Sequence, residues 1–264
     1  MEKCTVCGSK EQTDLVKVSN YKYVQCGSCG YAYIKELDWA EQSARHNSPE
    51  YEQSRINAES KHIAYYQNLS KLFPDFIPLP SRMLDVGCGS GHLLKELKLK
   101  GYDALGVDLG EIRAKYGREQ LEVDIVTKDF FDLDEQFDAI SMQQFIEHVP
   151  NPLDFLSHAG KLLPSGGGLV IGTPNLTPAI FLARLPRPIG PILGDALGHP
   201  PNHCGLFSQD TLKMALDKTG FDVRMIINNP TGFMGRSRLR RAADQVLGAL
   251  NIVGINMLVF AVKK

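Results

Sequence analysis

Four cysteines near the start of the chain are arranged in two pairs. Cys4 and Cys7 form the first pair, Cys26 and Cys29 the second, and eighteen residues lie between the pairs. Four thiolates with two-residue gaps are typical of a tetrahedral zinc site, and the glycine after each pair permits the tight turn that such a site requires. Because four protein ligands leave no open coordination position, the spacing predicts a structural Zn²⁺ ion.

Two short segments of alternating polarity lie between the pairs, Asp14–Val18 and Tyr21–Gln25. They predict two strands, so residues 1–36 are interpreted as a zinc ribbon that needs its metal to fold. This region has five lysines, no arginine and four acidic residues, a weak basic surface for contacts with phosphate. Nucleic-acid binding therefore ranks second, although the ribbon's tyrosines could stack on bases.

The second chemical feature is a glycine-rich turn at residues 87–91, with the sequence GCGSG. It follows an apolar run, Arg82–Val86, that is typical of a buried strand, and it precedes leucines at helical spacing. Strand, glycine turn and helix form a nucleotide-binding opening, because glycines let backbone amides approach a ligand at the helix N-terminus. A second predicted strand, Tyr102–Val107, ends at Asp108, whose carboxylate can receive the two hydroxyls of a ribose.

The turn also distinguishes between classes of cofactor. Its pattern is G-x-G-x-G, whereas dinucleotide binders use G-x-G-x-x-G over a pyrophosphate. Asp85 precedes the first glycine by two residues, where a carboxylate would repel a pyrophosphate and attract a cofactor with ammonium and sulfonium groups. The segment Leu84–Gly91 resembles the first motif of class I S-adenosylmethionine-dependent methyltransferases. This resemblance is strong over residues 81–175 and weaker over residues 206–264.

The resemblance implies an α/β fold with a Rossmann-like seven-stranded methyltransferase sheet, and S-adenosylmethionine as cofactor. It places Asp108 at the ribose, Leu109 beside the adenine and the Asp129–Phe130 pair against the adenine, while Gln143 stands where relatives often carry an aromatic contact. Cys88 is expected to pack, since nothing near it would activate a thiolate. The implied cofactor-binding residues are Asp85, Gly87, Cys88, Gly89, Gly91, Asp108, Leu109, Asp129, Phe130 and Gln143.

Residues 142–152, MQQFIEHVPNP, follow Phe137–Ser141, the predicted fourth strand of the core, and resemble the LEHVP signature of this family. Similarity to ubiquinone-type O-methyltransferases and to deoxysugar C-methyltransferases with N-terminal zinc ribbons implies His148 as general base. Glu147 would orient His148 or contact a metal. A histidine suits the role of base because it titrates near neutral pH. His203 is an alternative base, and a purely structural role for the Glu147–His148 pair stays open here.

A proline-rich insert spans residues 174–205 and holds seven of the fifteen prolines of the chain. Long loops of this kind are commonly lids over a site, although an apolar lid is also compatible with a dimer face or a lipid contact. Arg184 and Arg187 could meet a phosphate. Tyr51 and Arg55 fall where relatives cover the active site with an N-terminal helix. These four residues are the substrate-binding candidates.

Composition limits the class of protein further. The chain has 264 residues, 43% hydrophobic and 22% charged, with 29 basic and 30 acidic side chains. These values exclude a disordered or fibrous protein and a general attraction to nucleic acid. Arginines at positions 236–241 form a dense basic cluster that could touch a membrane surface or hold a diphosphate. The start lacks a signal-peptide core and no run is long enough to span a membrane, which predicts a cytoplasmic location.

Together these features predict an enzyme built from a zinc ribbon (1–36), a helical linker that covers the active site (37–80) and a methyltransferase domain (81–264). The expected reaction is methyl transfer from S-adenosylmethionine to oxygen or carbon of a small acceptor that is sugar-like or lipid-linked. The residues after the fourth strand lack the motif of amino-directed nucleic-acid methylases. Two alternatives stay open: a zinc-ribbon rRNA base methyltransferase, and a non-catalytic zinc adaptor with a vestigial core.

Overall fold

The computed structural model describes residues 3–18, 20–177, 202–228 and 256–264. The strands in these ranges are β1 (Gln12–Val18), β2 (Tyr21–Cys26), β3 (Ala32–Ile34), β4 (Arg82–Val86), β5 (Asp103–Asp108), β6 (Asp124–Thr127), β7 (Ala139–Gln143), β8 (Gly168–Pro174), β9 (Gly205–Leu206), β10 (Phe221–Asn228) and β11 (Asn256–Lys263). The α-helices are α1 (Trp39–His46), α2 (Pro49–Glu59), α3 (Ile63–Ser70), α4 (His92–Leu99), α5 (Glu111–Tyr116), α6 (Pro152–Leu162) and α7 (Gln209–Lys218). Short 3₁₀ turns occur at Ser60–His62, Phe73–Asp75, Phe130–Asp132 and Ile146–His148, and a π turn at Gly117–Leu121.

The larger sheet has seven strands in the order β10-β11-β8-β7-β4-β5-β6. Strand β4 pairs in parallel with β5 and β7, whereas β11 lies antiparallel between β8 and β10. The predicted Rossmann-like methyltransferase sheet is therefore confirmed, and its antiparallel strand β11 covers the last apolar run of the sequence, Asn256–Val262. Because parallel strands end at the same edge of a sheet, β4, β5 and β7 deliver their following residues to one crevice.

The apolar runs explain this arrangement. Leu84, Ile140 and Leu169 are fully buried in adjacent strands, as expected for a parallel sheet that is covered on both faces. Helix α4 buries Leu94 and Leu97 while Lys95 between them is exposed, so one apolar stripe holds the helix against the sheet.

The ribbon strands β1, β2 and β3 pair antiparallel in that order, close to the segments predicted from alternation. A fourth strand, β9, comes from residues 205–206 and pairs with β3, with Ala32 opposite Leu206. Two further hydrogen bonds attach the ribbon to α7: the Thr211 hydroxyl donates to the Cys29 carbonyl (2.8 Å), and Lys218 Nζ to the Val6 carbonyl (2.9 Å). The ribbon is thus built into the core.

The segment between ribbon and core contains helices α1, α2 and α3. The Asp38 side chain accepts hydrogen bonds from two backbone amides at the start of α1, and Pro49 opens α2 behind the Ser48 cap. Helices α2 and α3 are separated by the 3₁₀ turn at residues 60–62, where the Ser60 hydroxyl donates to the Ile56 carbonyl (2.8 Å). None of the helices in the described ranges combines the length and apolar character needed to cross a bilayer.

Candidate active site

The glycine turn between β4 and α4 has a backbone that only glycine adopts easily. Gly87, Gly89 and Gly91 have φ angles of 67°, 57° and 81°, in the left-handed region that residues with a Cβ avoid. At Gly89 a Cβ would lie 2.9 Å from both carboxylate oxygens of Glu59. The turn is therefore a cradle that only bare backbone can form.

Two side chains lie over this cradle. The Phe145 ring covers Gly87, and the Glu59 carboxylate, on α2, covers Gly89. Glu59 Oε2 accepts a hydrogen bond from the Ser90 amide (3.0 Å) and another from the Ser90 hydroxyl. These donors stand at the start of α4, where an anion is favoured. The Phe145 ring and the Glu59 carboxylate therefore lie directly against the backbone of the cradle.

Asp85 lies beneath the cradle, on β4, and is 3% exposed. Within the described part of the chain, no donor reaches hydrogen-bond distance of its Oδ1 atom. Burial raises the pKa of Asp85 to about 7; a hydrogen bond from Ser141 opposes the rise and the charge of Asp108 adds to it. A buried carboxylate with an unpaired oxygen favours a cationic ligand.

Asp108 ends the neighbouring strand β5 and is held from three sides. Its Oδ2 accepts from the Gly89 amide (2.9 Å), its Oδ1 accepts from the Gly110 amide (2.7 Å), and Arg113 Nη2 lies 2.9 Å from Oδ1. The structure therefore brings Asp85, the glycine cradle and Asp108 together, as the sequence predicts. The carboxylate of Asp108 is fixed beside the cradle by backbone donors.

Helix α2 supplies two buried acids to this region that the sequence analysis missed. Besides Glu59, Glu52 accepts hydrogen bonds from the Ile112 amide (2.8 Å) and the Arg113 amide (3.1 Å) at the start of α5. The two glutamates thus occupy backbone donors at the starts of both helices that flank the crevice. Their spacing of seven residues, two helical turns on one face, was the available sequence signal.

The residues predicted near the adenine are spread over several environments. Leu109 is 55% exposed, whereas Phe130 is buried and stacks on Phe155 with ring centroids 6.0 Å apart. The Asp129 carboxylate accepts from the Phe131 amide (3.0 Å) and so caps the 3₁₀ turn that follows. A contact of these residues with adenine stays a prediction.

Gln143 and Cys88 face the strands around them. Gln143 Nε2 donates to the Ser141 hydroxyl (3.1 Å) and the Val170 carbonyl (3.3 Å). The Cys88 sulfur packs against Gly106, and burial raises the pKa of this thiol well above its usual range. The packing role expected for Cys88 agrees with this environment.

His148 has a single tautomer set by a backbone carbonyl. Its Nδ1 atom lies 2.5 Å from the Asn202 carbonyl oxygen, and a carbonyl only accepts, so Nδ1 carries the proton and Nε2 is a proton acceptor. Burial, with His203 beside it, lowers the pKa of His148 well below its usual value. The side chain is still 26% exposed. His148 is therefore an accessible, unprotonated base at neutral pH.

Glu147, the neighbour of this base, is fully buried. Its Oε2 accepts from the Thr173 hydroxyl (2.9 Å), its Oε1 lies 4.0 Å from His148 Nε2, and burial raises its pKa to about 8. One ligand atom each from Glu147, His148 and His203 fall within 4.8 Å of one another. This geometry serves both roles considered for Glu147, orientation of the base and contact with a metal ion.

A third histidine, His46 of α1, joins this group and was missed by the sequence analysis. It stacks on Tyr51 (4.8 Å between ring centroids) and meets His148 edge-on at 6.0 Å. Its Nε2 atom lies 3.3 Å from Asn202 Oδ1. Tyr51 thus reaches the histidine cluster through His46, and no local motif around His46 indicates this.

Of the remaining substrate candidates, Arg55 lies within the described residues, whereas Arg184 and Arg187 do not. Arg55 is on α2 and lies 3.7 Å from the Glu59 carboxylate that covers the glycine cradle. Arg184, Arg187 and the arginine cluster at 236–241 lie outside the described residues. A substrate role for these arginines stays a prediction.

The four ribbon cysteines form one cluster. The sulfurs of Cys4 and Cys29 are 3.6 Å apart, those of Cys7 and Cys26 are 3.4 Å apart, and all four lie within 4.8 Å of one another. Tetrahedral Zn–S bonds of about 2.3 Å place sulfurs about 3.8 Å apart. The cluster therefore fits a zinc ion bound by four thiolates.

We expect Cys26→Ser to reduce bound zinc from about one ion per chain to nearly none and to lower the unfolding temperature, because a three-sulfur site binds the ion weakly and the ribbon packs on the core. Elemental analysis by mass spectrometry and calorimetry would measure both changes. Cys88→Ala is the matched control and should keep its zinc. Full zinc content in Cys26→Ser would contradict the assignment.

The chain matches the family described as "Methyltransferase domain" over residues 56–225. It is 32% identical over 161 residues to the ubiquinone biosynthesis O-methyltransferase of Nitrosococcus oceani, an alignment that covers 49% of this chain and 68% of that enzyme. The enzyme of the same name from Xanthomonas campestris pv. campestris is 35% identical over 115 residues, which cover 40% of this chain and 48% of the relative. The second alignment thus spans about half the length of its relative.

Among solved structures, the plantazolicin methyltransferase BpumL in complex with SAH has a TM-score of 0.58 and 13% identity, covering 84% of this chain and 93% of BpumL. At this identity the likeness establishes the fold. The family match, in contrast, extends over well more than half of the chain and includes the glycine cradle, Asp108 and the Glu147–His148 pair. This chain therefore belongs to the methyltransferase domain family, and it is a class I S-adenosylmethionine-dependent methyltransferase.

Proposed function

We propose that this methyltransferase acts on a small acceptor that must lose a proton as it is methylated, a hydroxyl oxygen or an activated carbon, with His148 as general base. The observation that carries the proposal is the bond from His148 Nδ1 to the Asn202 carbonyl, which leaves Nε2 as the proton acceptor. The O-methyltransferase names of the relatives support oxygen as the acceptor atom. The sugar-like or lipid-linked class of acceptor and the cytoplasmic location stay predictions of the sequence.

The residues around the cradle fit S-adenosylmethionine. The unpaired Oδ1 atom of Asp85 suits a cationic group, the three glycines allow close approach of the ligand, and the Asp108 carboxylate, held beside the cradle by the Gly89 amide, suits the hydroxyls of a ribose. When bound, S-adenosylmethionine supplies a methyl group on a sulfonium sulfur, and the sulfur keeps the electron pair of the broken S–C bond as the acceptor atom bonds to the methyl carbon. The protein has to hold the two partners in line and exclude water.

The proton of the acceptor would pass to His148 Nε2. Glu147 Oε1, 4.0 Å away, would then face a new imidazolium. Burial keeps most of the Glu147 carboxyl protonated at pH 7 in the free protein, but a positive charge at this distance favours its ionised form, and the resulting carboxylate would stabilise the cation. Thr173 holds the other oxygen of Glu147 and so fixes the carboxyl group. Glu147 is accordingly assigned as the residue that orients and stabilises the base.

The acceptor preference can be tested with paired compounds on one scaffold, such as a phenol and the corresponding aniline. With isotopically labelled S-adenosylmethionine, we expect methyl transfer to the hydroxyl compound that depends on His148. Equal transfer to the amine, independent of His148, would contradict the proposal, because a neutral amine attacks without prior loss of a proton.

The affinity for S-adenosylmethionine should increase about fivefold from pH 6 to pH 7, about twofold more up to pH 8, and level off above pH 8. In the free protein the pKa of Asp85 is raised to about 7, and a cationic ligand binds the ionised form, so below pH 7 binding must expel a proton. Calorimetry in two buffers of different ionisation enthalpy measures this proton release. In Asp85→Asn the pH dependence of the affinity that is due to this residue should vanish. An unchanged pH profile in that variant would refute the assignment of this dependence to Asp85.

The rRNA alternative receives less support. Three of the four ribbon tyrosines considered for base stacking, Tyr23, Tyr31 and Tyr33, are at most 2% exposed, and a buried ring cannot stack on a base. Retention of rRNA by the purified protein at moderate salt would reverse this ranking.

A further inference from the structure

Residues 202–207, called the strap here, lie between the ribbon and the proposed base. On the ribbon side, β9 pairs with β3 and the Ile34 amide donates to the Cys204 carbonyl (2.9 Å). The Tyr23 hydroxyl donates to the His203 carbonyl (2.6 Å). The ribbon thus holds the strap by a backbone ladder and by one side chain.

On its other side the strap contacts the 3₁₀ turn that carries Glu147 and His148. The Cys204 amide donates to the Glu147 carbonyl (2.8 Å), and the Asn202 carbonyl accepts from His148 Nδ1 (2.5 Å). The same short segment therefore bonds to the ribbon and determines which nitrogen of His148 carries the proton.

The contact between strap and ribbon is buried. Tyr23 has no exposed area, and its ring shares a cluster with Ala32, Ile34 and Leu206. Gly205 fits only because it has no side chain, since the Tyr31 hydroxyl occupies the position of a Cβ. Hydrogen bonds in such a place are not replaced by water when one partner is removed.

We propose that the zinc ribbon positions the acceptor half of the active site, and that Tyr23 holds the strap so that the Asn202 carbonyl keeps His148 in its Nδ1–H tautomer. This inference rests on the proposed role of His148 as base. The glycine cradle, in contrast, is held by Asp108, Glu59 and Val107, which belong to the core and to α2. Disturbing the ribbon should therefore reduce turnover and leave cofactor binding unchanged.

The test compares Tyr23→Phe with Tyr33→Phe. Each change removes one hydroxyl from a buried ribbon ring, but the Tyr33 hydroxyl bonds to Gln12 within the ribbon (3.5 Å) rather than to the strap. We expect Tyr23→Phe to lower kcat about tenfold, with the Kd for S-adenosylmethionine changed less than twofold. Tyr33→Phe should leave both values near those of the wild type.

Two readouts report positioning without reference to turnover. In ¹⁵N spectra of histidine-labelled protein, His148 should show a protonated Nδ1 in the wild type and in Tyr33→Phe, and a mixture of tautomers in Tyr23→Phe. Hydrogen exchange at the Cys204 amide should be faster in Tyr23→Phe alone. If Tyr23→Phe does not fold, the same spectra of wild-type protein before and after zinc removal by a chelator test the same coupling.

The outcomes separate the two proposals. An unchanged His148 tautomer and unchanged exchange in Tyr23→Phe would overturn the coupling of ribbon and base, whatever the catalytic role of His148. Turnover retained in His148→Ala would instead overturn the base assignment, even if the strap loosens as expected. Loss of cofactor affinity in Tyr23→Phe equal to its loss of kcat would show a general structural effect and refute the positioning role.

Discussion

His148→Ala should lower kcat by about 10²–10⁴-fold while the Kd for S-adenosylmethionine stays within about threefold of the wild-type value. The imidazole is a neutral acceptor at Nε2, held by the Asn202 carbonyl, and the side chain is 26% exposed. The cradle and its acids lie on other strands, so the cofactor should still bind. Single-turnover assays and calorimetry separate the two quantities.

Added imidazole provides the control for this result. It should restore part of the turnover of His148→Ala, because the deleted ring leaves space near the acceptor. In Glu147→Gln, which keeps an acceptor for Thr173, turnover should fall less, by about tenfold, since the base remains and only the group that can ionise to stabilise its cation is lost. A kcat of His148→Ala close to that of the wild type would eliminate His148 as base.

Asp85→Asn should weaken S-adenosylmethionine binding by about 100-fold or more and should make the free protein no less stable. The amide keeps the shape of the buried side chain and removes the negative charge that a cationic ligand requires. Folding raises the pKa of Asp85 from 3.8 to about 7, so the stability cost of the acid accumulates as pH increases from 3.8 to about 7 and is complete above pH 7. At pH 8 the variant should therefore unfold at an equal or higher temperature.

The matched control is Asp103→Asn. Asp103 is on the adjacent strand, its side chain is 81% exposed and it pairs with Arg82 at 3.8 Å, so the change should alter neither affinity nor stability by a measurable amount. If Asp85→Asn bound S-adenosylmethionine as tightly as the wild type, the cationic ligand would have to be held elsewhere. A large loss of stability in Asp85→Asn would show that the acid is structural.

The local part of this architecture was accessible from the sequence. Cysteine pairs and the glycine turn are contiguous motifs whose spacing reflects short-range geometry, and strand β11 follows from one uninterrupted apolar run. Asp85 was found because it precedes the first glycine of the turn by two residues, and Asp108 because it ends the next strand. In such cases the interactions that form the feature involve only a few residues that are neighbours in the sequence.

The long-range part was not accessible. Glu59 and His46 resemble ordinary polar residues of surface helices, and their burial depends on where α1 and α2 settle. The pairing of β9 with β3 involves only two residues of each strand, far apart in the chain, and no two-residue strand has a periodicity to detect. The role of Tyr23 depends on that pairing, so it could be recognised only in three dimensions.

The pairing of β3 with β9 also has a consequence for biosynthesis. During translation the nascent ribbon must wait until residue 206 has been made before its sheet is complete, on the order of ten seconds or longer at about 5–20 residues per second. Throughout that delay β3 is an exposed edge with unpaired amides and carbonyls, on which strands of other polypeptides can pair. A polypeptide terminated before residue 205 would keep this exposed edge permanently, and we expect it to aggregate or depend on chaperones even with zinc supplied.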